Sequence, residues 1–253
     1  MRHFKYRFIS AGCHLVLSAL IAAAVTGIVL FLWFPWPYSE ICGGLSLLYI
    51  LISVDVILGP LLTFVVFDVK KNKRHLARDL IVIVIIQMMG LGYGVMTIFS
   101  ARPVALVFTS KYFRVVTSFE VDQKELSNAK PEFRTLSKTG PILIGMSTSK
   151  NLAENVNDIS KAMNGFDAGL HPSLWDSYDK SYEQIIKISK PVELLFSKYP
   201  KLSKTIEAAV AKSGVKRQQL RYLPLISKNA SWVILIDVNS VQPVGFAPID
   251  DFL

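Results

Sequence analysis

Three long apolar runs occupy most of the first hundred residues. Phe8–Phe34, Leu45–Phe67 and Leu80–Phe99 are 27, 23 and 20 residues long, contain no Lys or Arg, and carry Asp55 as their only acidic residue. About 20 apolar residues of helix cross a bilayer core, so each run is long enough to span. From Arg102 onward charged residues return and the pattern shortens. "VALVFTSKYFRVVTSFEV" (Val104–Val121) holds two β-branched and aromatic runs around Ser110-Lys111, which predicts a hairpin. "PILIGMSTS" (Pro141–Ser149) predicts a third strand. Residues 151–163 and roughly 178–213 have helical spacing, interrupted at Pro191 and Pro200 and closed by Gly214. "LRYLPLIS", "SWVILIDV" and "NSVQPVG" then return to strand character. The expected architecture is an α-helical membrane domain over residues 1–101 with three transmembrane helices, followed by an α+β domain over 102–253 with one antiparallel sheet.

Composition agrees with a chain divided between lipid and water. Of 253 residues 51% are hydrophobic, and the mean hydropathy is +0.39, above the range of an ordinary soluble domain. Basic residues followed by an apolar run could mark a cleaved signal, and "SALIAAA" (Ser18–Ala24) offers small residues for cleavage. The apolar run nevertheless continues to Phe34, which favours a retained anchor. Orientation follows from the short loops. Arg2, Lys5 and Arg7 precede the first run, and Lys70, Lys71, Lys73, Arg74 and Arg78 lie between the second and third. The loop between the first and second has none. The N-terminus is therefore expected in the cytoplasm and the C-terminal domain in the periplasm of a bacterial inner membrane. Trp33, Trp36 and Tyr38 cluster at the outer boundary, where amphipathic rings sit well.

The formal charge of +9 does not point to nucleic acid. Eight of the 28 basic residues flank the apolar runs, and from Arg102 onward 20 basic residues face 15 acidic ones. No RNP-like motif, zinc-finger spacing or dense basic helix accompanies them. Cys13 and Cys42 lie at opposite ends of the first run, about 30 Å apart along a helix, too far for a disulfide. Chemistry-bearing motifs are missing from the C-terminal half: there is no GxSxG, Walker loop, GxGxxG or HExxH. His171, its only histidine, precedes Pro172, which makes a zinc or charge-relay site improbable. No catalytic residue, metal site or cofactor is expected. Asp176 and Asp179 flank Tyr178 and are expected to cap a helix start; Asp250 and Asp251 are expected as solvated tail charges.

Asp55 is the anomaly. It lies twelve residues from Phe67, about 18 Å of helix from the cytoplasmic edge. An ionised carboxylate at mid-bilayer costs about 3 kcal/mol even on insertion scales, so it should face other helices. Tyr93 and Ser18 fall at similar depth, Gln87 lies nearer the cytoplasm, and His14 is shallower still. Two readings lead: Asp55, Tyr93, Gln87 and Ser18 form an interhelical polar cluster, or they receive a partner's helix; a proton or ion pathway stands behind both, because it would need several aligned ionisable groups and more than three helices. Gly90-x-x-x-Gly94 and Ala23-x-x-x-Gly27 favour close helix contacts, and Gly59-Pro60 should kink the second helix one turn beyond Asp55.

Several of these stretches together carry a resemblance. "LWFPWPYSEICGG", "VDVILGPLLTFVVFD", a basic loop ending "ARDL", "QMMGLGYG" and "ARPVALVF…YFRVV" resemble the TfpX/TfpZ family of type IV pilin accessory proteins, densely over residues 30–117. "SWVILIDVNSVQPVG" resembles that family's closing strands. The matching positions are Pro35, Tyr38, Asp55, Gly59, Pro60, Arg78, Asp79, Gln87, Tyr93, Gly94, Arg102 and Pro103. The resemblance assigns no chemical role to them. It implies a non-enzymatic inner-membrane protein, chaperone-like, that supports the stability, presentation or assembly of a cognate type IV pilin. The implied contacts are to the pilin's transmembrane helix and periplasmic head, with other pilus assembly components and membrane lipids as further partners and no nucleic acid. An acidic residue within the pilin's own apolar helix, a trait of that family, would need a polar neighbour before the fibre forms. The rival readings are a structural subunit or periplasmic sensor of the machinery and an integral membrane enzyme. A sensor lacks a cytoplasmic output domain, and an enzyme lacks converging polar groups.

Overall fold

A computed structural model describes residues 2–68, 70–147, 167–228 and 230–251. The chain separates into two compact units, Met1–Arg102 and Pro103–Leu253.

The first unit contains three helices long and apolar enough to cross a membrane, Phe4–Trp33, Gly44–Val66 and Lys73–Ser100. The first comprises α1 (Arg2–Gly27) and a π-helical turn, Ile28–Trp33, in which the Phe34 amide donates to the Val29 carbonyl five residues back. A short helix α2 (Tyr38–Ile41) follows. The second long helix is α3 (Gly44–Ser53), a π-helical turn (Val54–Leu58) and α4 (Gly59–Val66). The third is α5 (Lys73–Ser100), two turns longer at its start than the apolar run because Asn72 caps it, its side chain accepting from the Arg74 amide at 3.1 Å. Phe8 packs on Phe64 with ring centroids 4.9 Å apart, and Trp33 meets Phe99 edge-on at 4.9 Å. These contacts bring both ends of the bundle together. Much of the remaining helix surface is apolar and exposed, including Phe31, Ile57, Met89 and Met96. Surfaces of that kind are rare on soluble monomers.

In the second unit the expected hairpin is present. β1 (Pro103–Phe108) pairs antiparallel with β2 (Phe113–Thr117), and Ser110 adopts φ 71° in the turn between them. β3 (Ile142–Met146), β4 (Trp175–Asp176), β5 (Lys190–Pro191), β6 (Leu220–Ile226), β7 (Ser231–Asp237) and β8 (Pro243–Ala247) complete one sheet, ordered β4-β3-β1-β2-β6-β7-β8, with β5 also on β6. The sheet is mixed, which corrects the antiparallel expectation. β3 runs parallel to β1, and β6 parallel to β2. The physical reason lies in the central hairpin. All residues of β1 and β2 are buried, so both of their outer edges must be paired, and strands arriving from distant parts of the chain fill them by crossover.

Helices α6 (Tyr182–Ile188), α7 (Glu193–Lys198) and α8 (Ser203–Ser213) follow the helical spacing read over 178–213, and Gly214 closes α8 at φ 68°. The spacing read over 151–163 lies outside the described residues. Ile206 and Ala209 of α8 pack with Leu195, Tyr222, Val233 and Leu235 in one core; Val107, Val116, Phe133, Ile144 and Trp175 form another.

Two acidic expectations are corrected. Asp176 sits in β4 and caps nothing: Lys130 and Lys180 pair with it, and the Ser177 amide donates to it at 2.8 Å. Asp251 is no solvated tail charge. Its side chain is 0% exposed, and it pairs with Lys198 at 3.1 Å and Lys190 at 3.3 Å while Tyr199 Oη donates to it at 3.2 Å. Asp179 and the backbone carbonyl of Asp250 are at the surface and on the Tyr199 hydroxyl respectively.

Asp251→Ala is expected to lower the unfolding free energy by about 2 kcal/mol, measured by denaturant titration, because charge-assisted hydrogen bonds to a buried acid are lost. A second effect depends on pH. Burial raises the Asp176 carboxyl, but bonds from Lys130, Lys180 and Ser177 outweigh it and hold the group down to about 2. Its folded value lies below the unfolded one, so its contribution is full above about pH 4 and fades as pH falls towards 2. Asp176→Asn should flatten that limb of the stability–pH curve and leave the limb above pH 7 unchanged.

Candidate functional site

The geometry around Asp55 follows from Pro60. A proline has no N–H, so in regular α-helix the Val56 carbonyl would lose its partner. Here Val54–Leu58 is wound as a π turn. In that wider register the carbonyl facing residue 60 is that of Asp55, and Gln87 Nε2 of α5 donates to it at 3.5 Å. Gly59 is what admits the Gln87 amide: a Cβ on Gly59 would collide with it. Gly59, Pro60, Gln87 and the Asp55 backbone are thus one device in which a side chain supplies the donor that the freed carbonyl lacks.

The Asp55 carboxylate is left over. Among the described residues it has no hydrogen-bond or ion-pair partner. It stands between two cavities. One, of about 50 Å³, is lined by His14, Ser18, Asp55 and Gln87 together with Leu17 and Leu91. The other is an open groove of about 250 Å³ between α3 and α5, lined by Leu51, Val54, Asp55, Gly90, Tyr93 and Gly94, among others. The structure therefore splits the four-residue polar set. Ser18 and Gln87 lie on one side of Asp55 and Tyr93 on the other, where it is 77% exposed. Its hydroxyl makes no bond to Asp55. Gly94 lies against Leu51, so closely that a Cβ would strike that side chain, whereas Gly90 has open space before it.

The other motif residues lie elsewhere. Pro35 accepts from the Tyr38 amide at 2.9 Å, and Tyr38 is buried; burial, then Cys42, pushes its phenol above the ordinary range. Asp79 pairs with Lys71 at 2.8 Å and Arg78 lies 3.4 Å from His75 Nδ1. Arg102 donates to the Phe99 carbonyl at 2.7 Å and stacks 3.7 Å over that ring, and Pro103 opens β1. Sequence reasoning missed the contact of His14 Nδ1 with Thr63 Oγ1 at 2.5 Å. Depth matching of antiparallel helices, which links Ser18 to Asp55, would also have paired these two nearer the start of the first apolar run. Among the described residues no three His, Cys, Asp or Glu side chains gather to hold a metal.

The family model described as fimbrial assembly protein FimB matches residues 2–43, the first long helix and the loop after it. The fimbrial assembly protein of serogroup E1 of Dichelobacter nodosus is 34% identical over 241 residues, 93% of this chain and 94% of that protein. Its serogroup I counterpart matches with the same identity and coverage. That of serogroups C1 and C2 is 36% identical over 129 residues, 49% of this chain and 98% of that protein. No solved structure matches the chain.

If Gly59 exists to admit Gln87, their substitutions are coupled. Gly59→Ala and Gln87→Ala should each destabilise the bundle, and the double variant should cost less than the sum by about 0.6 kcal/mol, the usual size for a membrane hydrogen bond in such cycles. Unfolding in mixed micelles measures it, and full additivity would separate the two residues.

Proposed function

The chain belongs to the family of fimbrial assembly proteins, and from that premise we propose that it is a membrane-embedded accessory protein that holds a type IV pilin before its incorporation into the fibre. The three long helices are read as spans of the bacterial inner membrane, with the N-terminus cytoplasmic and the second unit periplasmic, from the Lys and Arg asymmetry of the loops. The pilin-specific, TfpX/TfpZ-like role is part of the same proposal.

One observation carries the reading: a carboxylate that has no hydrogen-bond or ion-pair partner among the described residues and lines an open apolar groove. In hydrocarbon an unpartnered acid is costly, and glycine-lined grooves let a second helix backbone approach closely. A pilin helix laid along Gly90, Tyr93 and Gly94 would bury that surface. A protonated acid or other donor at the depth of Asp55 would share a hydrogen bond with it, and the Tyr93 hydroxyl would offer a second. Gln87 is committed to the Asp55 carbonyl, so its part is to hold the groove wall, and Ser18 serves the opposite cavity. The pilin's head would meet the second unit. The pilin leaves for the fibre once neighbouring subunits satisfy the same groups better.

A photo-crosslinker in place of Tyr93 should capture the pilin helix in intact cells. Asp55→Asn, which keeps hydrogen-bonding capacity, should retain pilin abundance and fibres, while Asp55→Leu should reduce both several-fold with the variant still present in membranes. Capture of only the protein's own helices, with normal fibres in Asp55→Leu, would remove the proposal.

A further inference from the structure

The charge of the second unit is concentrated in one place. Between Lys187 and Arg221 there are nine basic and two acidic residues, a local +7, whereas the remainder of the chain from Arg102 onward sums to −2. The stretch contains α7 and α8. Because α8 turns Ile206 and Ala209 onto the sheet, helix geometry sends Lys204, Glu207, Ala208 and Ala211 the opposite way, with Lys212 at the flank. All five are exposed, and Glu207 is the one acid among them. Part of the charge is already used: Lys190 and Lys198 neutralise Asp251, and Arg217 lies 3.8 Å from Glu193. Lys187, Lys201, Lys204 and Lys216 are exposed and, among the described residues, make no ion pair. Leu194 and Leu202, 48% and 37% exposed, are interleaved with these cations along the sequence.

Lysines interleaved with exposed leucines are the pattern of a surface that meets the headgroup and upper acyl region of an anionic bilayer. An acidic protein would use the cations but leave the leucines unexplained. The chain is also joined covalently to its own bilayer, on the reading of the three helices as spans, and only Ala101 and Arg102 separate α5 from β1. We propose that the face formed by α7 and α8 binds an anionic lipid surface, with Lys201, Lys204, Lys212 and Lys216 at the headgroups and Leu194 and Leu202 dipping below them.

The full chain in nanodiscs tests this, one set of phosphatidylcholine alone and another containing about one third phosphatidylglycerol. Acetylation of lysines, read by mass spectrometry, should fall about threefold or more at Lys201, Lys204, Lys212 and Lys216 in the anionic discs. It should be unchanged at Lys124 and Lys138, which are exposed elsewhere in the unit. In K201Q/K204Q, protection of Lys212 and Lys216 should weaken, and high salt should abolish it in the parent chain. Equal labelling in both discs would overturn the proposal, as would protection that appears only when the fimbrial subunit is added, which would assign the face to an acidic protein. Failure to incorporate into discs at all would remove the spanning reading itself, and this inference with it.

Discussion

A proline in the middle of an apolar helix leaves a carbonyl without a donor, and in hydrocarbon no water replaces it. Most of the first unit's particular geometry can be traced to that constraint at Pro60. The π turn over Val54–Leu58 transfers the vacancy to Asp55, Gln87 reaches across from α5 to fill it, and Gly59 leaves the room. The π turn also rotates the helix locally, and the Asp55 side chain ends between two cavities with no hydrogen-bond or ion-pair partner among the described residues. One backbone defect therefore sets the contact of the second and third long helices and the surroundings of the acid. The His14–Thr63 pair and the tilted Phe8–Phe64 ring contact tie the first helix to α4 independently of it.

The second unit solves a different problem. Both strands of its central hairpin are buried throughout, so their two outer edges cannot be left to water, and the parallel partners β3 and β6 close them. Around this sheet, charge is placed where burial would otherwise penalise it. Arg114, in β2, meets Glu120 and Asp167, each at 2.9 Å, and the Thr117 hydroxyl donates to Glu120 at 2.6 Å. Asp251 is enclosed by two lysines and Tyr199, which fastens residues 249–251 to α7. Burial and then Asp251 push the Tyr222 phenol beside this cluster up to about 12. These buried ions hold segments far apart in sequence in one register.

The sequence by itself determined three apolar helices, the hairpin at Ser110, the strands at 220–226 and 231–237, and the anomaly at Asp55. Each is written in local periodicity or in one misplaced charge, and those signals need no knowledge of partners. The tertiary structure alone decided the rest. Parallel pairing of β3 with β1 depends on which distant strand reaches a buried edge, a choice with no local trace. Asp251 reads as a solvated tail charge and Asp176 as a helix cap because their lysine partners lie far away or across a turn. The division of Ser18 and Gln87 from Tyr93 likewise required the helix rotation at the π turn, since depth along a span can be counted from residues but the face a side chain presents is fixed only by packing.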